Sequence, residues 1–118
     1  MHLEDLIEFC LTLPSSETTM PFDEYTLVFK VGGKVFCLCS LNNFISINIK
    51  HPAEEIVELT EKYQAVLPGY HMNKKHWNTV ILDGSLSDPF IMKLIDDSYQ
   101  LVVAKLSKKE KNLLISTN

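Results

Sequence analysis

Between Pro68 and Leu82 the chain gathers its only tryptophan, two of its four histidines, a lysine pair and two side-chain amides into one short run, Tyr70-His71-Met72-Asn73-Lys74-Lys75-His76-Trp77-Asn78. Lys74 and Lys75 carry ammonium groups suited to phosphate or carboxylate oxygens, and backbone amides left free at the start of a helical turn would serve the same ligands. Asn73 has the form of the cap that opens such a turn, its side-chain oxygen accepting from an amide near His76. Trp77 admits two readings. It is either a core anchor, enclosed with its N–H bonded, or an exposed ring on which a base stacks. His71 and His76 are five apart and face together in neither a helix nor a strand; with no cysteine or carboxylate close by to complete a ligand set, no metal is expected. His76 reads as held by a hydrogen bond within the turn and His71 as an exposed donor.

A second cationic group, Lys105, Lys108, Lys109 and Lys111, lies near the C-terminus, where positive charge complements the end of a long helix. It reads as solvated surface or as phosphate contact. All eleven positive residues are lysines and the net charge is −4. Without arginine, the bidentate fork that reads guanine is missing, so sequence-specific base readout is not expected. Residues 1–65 hold four lysines against ten acids and residues 66–118 seven against five, so any cationic patch belongs to the C-terminal half.

Other reactive residue types have plainer readings. Cys37 and Cys39 share a strand face with Val35 and behave as small buried hydrophobes. Asp96 and Asp97 are adjacent on a helix, so their carboxylates diverge by about 100° and do not form an acid/base pair. Tyr99 belongs to an apolar stripe with its hydroxyl at the edge, and Glu4, Asp5 and Glu8 form a solubilising face. A nucleophile elbow, phosphate loop and metal motif are all missing, and no cofactor is implied.

These residues must be positioned by ordinary elements. Leu3, Leu6, Ile7, Cys10 and Leu13 have helical spacing over residues 2–13. Residues 25–31 alternate, Gly32-Gly33 turns the chain, and Lys34 to Ser40 returns as the second strand of a hairpin. From Phe44 to Lys50, Ile45, Ile47 and Ile49 line one face, expected to be core. A helix starts at His51-Pro52-Ala53 with Ile56, Val57 and Tyr63 on its apolar side, and a strand from Trp77 to Leu82 stops at Asp83-Gly84. A short strand over Val66 to Tyr70 is confined to an edge by its proline and glycine. Ser87-Asp88-Pro89 caps a long helix whose stripe is Ile91, Leu94, Ile95, Ser98, Tyr99, Val102 and Leu106; Ser107 caps a short last helix through Ile115.

The order predicts an α+β domain spanning 1–118, an antiparallel sheet of four to five strands covered on one face by helices. The acidic N-terminus lacks a secretory pattern and no run spans a membrane, so the expectation is a cytoplasmic, monomeric protein with reduced thiols.

Tyr70-His71-Met72-Asn73-Lys74-x-His76-Trp77-Asn78-Thr79-Val80, followed by Asp83-Gly84-Ser85-Leu86, resembles the signature of the MmcQ/YjbR family, small bacterial proteins with a frataxin/CyaY-like fold. The resemblance covers nearly the whole chain, including the Asp96-Asp97-Ser98-Tyr99 stretch of the long helix. It implies DNA binding through a double-wing arrangement of strands and loops. Lys75 stands where many relatives carry arginine, so guanidinium chemistry is not essential there. The expected function is a non-enzymatic module contacting nucleic-acid phosphates non-specifically through Lys74, Lys75 and the C-terminal lysines, Lys108 and Lys109 included. The alternative is an adaptor for a small anionic ligand or acidic peptide, in a pocket lined by Tyr70, His71, Asn73, Lys75, Trp77 and Asn78.

Overall fold

The computed structural model describes residues 1–69 and 72–117, with the side chains of 114–117 excepted. Tyr70 and His71 therefore lie outside the described residues. In chain order the elements are α1 (Leu3–Thr12), β1 (Glu17–Thr19), β2 (Thr26–Val31), β3 (Lys34–Ser40), β4 (Ser46–Lys50), α2 (Ala53–Lys62), β5 (Val66–Pro68), β6 (Trp77–Ile81), α3 (Asp88–Ala104) and α4 (Lys108–Thr117). The strands form one antiparallel sheet in the order β1-β2-β3-β4-β6-β5. It has six strands where the sequence predicts four to five. The extra one, β1, is Glu-Thr-Thr at the edge; it has no apolar alternation to betray it, and only pairing with β2 makes it a strand.

Local chemistry explains the best-formed elements. Ser87 Oγ accepts from the Phe90 amide at 3.2 Å to open α3. Ser107 and Glu110 exchange two bonds, Glu110 N–H to Ser107 Oγ at 3.1 Å and Ser107 N–H to Glu110 Oε1 at 2.9 Å, a capping box that opens α4. Gly32 and Gly33, at φ +58° and +76°, make the two-residue turn of the β2–β3 hairpin, a conformation that side chains with a Cβ resist.

The core lies between one sheet face and the helices. Leu6 and Cys10 of α1 and Ile91, Leu94, Ile95, Tyr99 and Val102 of α3 pack on Phe29, Cys37, Cys39, Ile47, Ile49 and Val80. Tyr99 meets Phe36 edge-on, with ring centroids 5.4 Å apart, and its hydroxyl donates to the Pro14 carbonyl at 2.6 Å. Three expectations about facing are corrected here. Val35 does not share the face of Cys37 and Cys39: the pairing slips between Phe29 and Lys30, a β-bulge at Phe36 that turns Phe36 and Cys37 both into the core and leaves Val35 half-buried. Ile45 is exposed, because it precedes the last ladder pair, Ser46 with Ile81. Val57 is exposed because α2 turns Ile56 inward instead.

The bulge has a second effect. β3 and β4 pair only through Cys37–Ile49, Leu38–Asn48 and Cys39–Ile47, and beyond that point they part. Ser98 of α3, fully buried, fills the fork: its hydroxyl donates to the Phe36 carbonyl at 2.6 Å and accepts from the Lys50 amide at 2.8 Å. One side chain thus satisfies two backbone groups that the broken ladder leaves unpaired.

Candidate anion-binding site

A cavity of about 350 Å³ lies where the fork, the C-terminal turns of α3 and the turn before β6 meet. Its cations come from three elements: Lys34 at the start of β3, Lys50 at the end of β4, and Lys105 just past α3. Asn73 and His76 add polar groups; Pro52, Trp77, Leu101 and Val102 form an apolar wall, and His51 closes the remaining side. Among the described residues, no carboxylate lines it. Glu110 feels one of these cations: its carboxyl is held low first by its bonds to Ser107 and, to a smaller degree, by Lys34.

The electrostatics are those of an unneutralised site. Burial pushes the Lys50 ammonium below its ordinary value, and repulsion from Lys105 and Lys34 pushes it further the same way. An anion placed among the three would relieve that repulsion. Lys50 Nζ lies 5.0 Å from the centroid of the Trp77 ring, a cation–π contact.

Backbone contacts fix the wall. Gly69 donates its N–H to the Trp77 carbonyl at 3.0 Å, and a Cβ on Gly69 would stand 2.8 Å from Trp77 Cβ and 3.0 Å from that carbonyl oxygen. Asn73 Oδ1 accepts from the Lys75 amide at 3.0 Å, and the Asn73 carbonyl receives the amides of His76 and Trp77 at 3.0 and 2.9 Å. The turn therefore delivers Asn73 and His76 to the cavity and directs Lys74 and Lys75 away from it; neither lysine lines it, and both are exposed.

The residues proposed from sequence are thus divided. Asn73, His76 and Trp77 meet in the cavity; Lys75 does not. Trp77 is only 8 % exposed and stands outside the main apolar cluster, so its ring is neither an open platform nor part of the helix-facing core. The ring of His76 is exposed and, among the described residues, makes no hydrogen bond; it is the backbone carbonyl of His76 that bonds, accepting from the His51 amide at 3.2 Å. Asn78 is fully buried beside Ile49, on the opposite sheet face from Trp77, and cannot touch a ligand in the cavity. Lys108 and Lys109 are exposed on the first turn of α4.

Lys34, Lys50 and His51 went unmarked in sequence. The lysines end strands, where a solvated charge is ordinary. His51 did carry a signal, since it continues the alternation Ile47, Ile49 and so had to turn inward. It is 1 % exposed and its Nδ1 lies 2.7 Å from the Asn78 side-chain amide; among the described residues Asn78 Oδ1 finds no hydrogen-bond partner. The ring also borders a second cavity of about 250 Å³ between α2 and α3, lined by Glu55, Lys62, Tyr63 and the Lys93–Asp97 ion pair among others.

The remaining reactive groups are structural. Cys10, Cys37 and Cys39 are buried free thiols; burial raises Cys37 well above its ordinary value, with help from Cys10, and pushes Cys39 up to about 12, far from the thiolate a nucleophile needs. Asp97 pairs with Lys93 at 2.9 Å and Asp96 accepts from Gln100 at 3.3 Å, so the two carboxylates act separately. The described residues hold no group of three or more histidine, cysteine or acidic side chains able to grip a metal, and none of their helices is long and apolar enough to cross a membrane.

Comparison with known proteins agrees with the architecture. The chain is 41% identical over 101 residues to the uncharacterized protein YbdF of Escherichia coli O157:H7, covering 85% of this chain and 83% of that one. It is 33% identical over 116 residues to the uncharacterized protein YjbR of Escherichia coli K12, covering 98% of each. Among solved structures, Deinococcus radiodurans protein DR2400, a DUF419 domain, superimposes with a TM-score of 0.88 at 39% identity, over 95% of this chain and 86% of that one. A Pseudomonas syringae protein superimposes at 0.72 with 28% identity, over 86% and 98% respectively. Residues 11–101 match the YjbR family profile, and with these relatives the match establishes that the chain belongs to the YjbR family.

Proposed function

We propose that this chain is a binding module that receives an anionic ligand, with phosphate or carboxylate oxygens, among Lys34, Lys50 and Lys105. The observation that carries the reading is the convergence of three ammonium groups, from three separate elements, on a cavity that no carboxylate of the described residues lines. A protein selected only for stability gains nothing from such an arrangement, because like charges at close range cost energy. Ligand-dependent thermal unfolding tests it. Inorganic phosphate, pyrophosphate or citrate raises Tm in the native chain, since each binds the folded state alone. Lys105→Met abolishes the rise and itself melts higher than the native chain without ligand, because it removes the repulsion on Lys50. No Tm rise with any of these anions, matched for ionic strength, would end the proposal.

A second reading, nucleic-acid phosphate contact, draws on exposed lysines outside the cavity. Lys74 and Lys75 project from the turn that carries Asn73 and His76, and α4 opens with Lys108 and Lys109 just after Lys105. Binding of this kind is weak, steeply salt-dependent and indifferent to base sequence. Fluorescence anisotropy with single- and double-stranded DNA at low salt, comparing native chain with Lys74→Glu/Lys75→Glu, decides it; equal anisotropy for both proteins removes these lysines from the interface. The three buried reduced thiols support a cytoplasmic setting.

A further inference from the structure

The cavity holds more than a charge trap, and this inference rests on the anion reading above. Pro52, Trp77, Leu101 and Val102, four of the ten described lining residues, are apolar, so an inorganic ion would leave that part of the wall unmatched. A flexible group lies over the tryptophan at the cavity: Lys50 Nζ sits 5.0 Å from the ring centroid, and Trp77 is 8 % exposed. Lys50 is also partly desolvated and repelled by both Lys105 and Lys34. An anion between the three ammonium groups competes directly with the indole for Lys50, and the stronger, charge-assisted partner wins. Lys50 then swings off the ring, and a face of the indole opens onto the same cavity.

We infer that the ligand is a phosphate monoester joined to a planar ring, a mononucleotide in chemical class: its phosphate draws in Lys34, Lys50 and Lys105, and its ring takes the place of the Lys50 ammonium on Trp77. A dianionic phosphate suits three point charges better than a monocarboxylate does, and lysines suffice because no planar fork is needed. Such a group has two sources, a free mononucleotide and the 5′-phosphorylated end of a nucleic-acid strand.

Trp77 is the only tryptophan, so its intrinsic fluorescence reports on this exchange without a label. The full chain is titrated at constant ionic strength with adenosine 5′-monophosphate, inorganic phosphate and adenosine, with binding followed in parallel by calorimetry. The expected result is that the nucleotide binds about tenfold or more tighter than phosphate, the low end of what one stacked ring contributes, and changes the tryptophan emission. Lys50→Met loses binding and the emission change together. Lys34→Met, which removes a charge without touching the indole, weakens binding but keeps the full emission change at saturation. A 5′-phosphorylated tetranucleotide that binds at least as tightly as the mononucleotide, while its 5′-hydroxyl twin does not, assigns the source to strand ends; the reverse order assigns it to the free nucleotide. Nucleotide no tighter than inorganic phosphate, or saturating binding with unchanged emission, overturns the inference while leaving the anion reading standing. Absence of binding by phosphate, nucleotide and the other anions together sinks both.

Discussion

Ser98→Ala tests the join between fold and site. The Ser98 hydroxyl is the partner of the Phe36 carbonyl at 2.6 Å and of the Lys50 amide at 2.8 Å, at the fork where β3 and β4 separate. Alanine removes one oxygen and orphans two backbone groups. The Phe36 carbonyl belongs to a fully buried residue, and leaving it unpaired costs about 1–3 kcal/mol; the Lys50 amide belongs to a half-buried residue and loses a bond worth about 0.5–1.5 kcal/mol. Together the loss is about 2–4 kcal/mol, a large share of the roughly 5–15 kcal/mol that holds a domain of this kind. At about 4 °C per kcal/mol for a chain of this length, Tm falls by about 8–16 °C. Urea unfolding followed by circular dichroism gives the free energy directly, and an unchanged m-value keeps the comparison within a two-state frame. Because Lys50 leaves the sheet through this fork, anion affinity drops as well, although the alanine touches no ligand. A loss below about 1 kcal/mol would mean that the fork closes without the hydroxyl, and Ser98 would then have no part in holding Lys50 in place.

Two further outcomes follow from the same geometry. Gly69→Ala sets a Cβ at 2.8 Å from Trp77 Cβ and 3.0 Å from its carbonyl oxygen, contacts that only backbone movement relieves, so it destabilises by about 1–3 kcal/mol and shifts the tryptophan emission; a native melting curve would show that β5 has room to yield. Burial, the largest cause, holds the His51 ring below its ordinary value, with the Asp97 charge opposing it. The unfolded chain therefore takes up this proton first. His51 leaves stability unchanged above the unfolded value of about 6.5 and lowers it as pH falls from there toward the folded value. Urea unfolding at pH 7.5 and 5.5, with His51→Gln as the comparison, shows a smaller acid loss in the variant; equal losses would mean that the ring is protonated in the fold.

Much of the scaffold was legible because its signals are local. Ser87-Asp88-Pro89 caps α3 whatever surrounds it, and the spacing from Ile91 to Val102 names a face without saying what it faces. Gly32-Gly33 turns the hairpin by backbone sterics alone. The edge strand β1 escaped notice because its pairing partner, and not its composition, makes it a strand. The segment around Trp77 stands out in the sequence for its density of polar groups, yet its side chains are sorted by a rule that sequence hides at this point: Trp77 and Asn78 are neighbours on opposite faces of β6, and both are buried.

What the chain by itself determined is the set of elements, their caps and turns, and the membership of a family whose signature lies in a contiguous stretch. What only the folded structure decided is which cations meet. Lys34 and Lys50 each read as an ordinary solvated lysine and Lys105 as one member of a C-terminal cluster, because nothing local distinguishes a charge that faces water from one that faces two others. A one-residue bulge at Phe36, a serine inserted from α3 and a glycine-tight turn before Trp77 bring them around one cavity. Electrostatic energy depends on separation in space, and separation in space is what the order of residues along the chain does not encode one residue at a time.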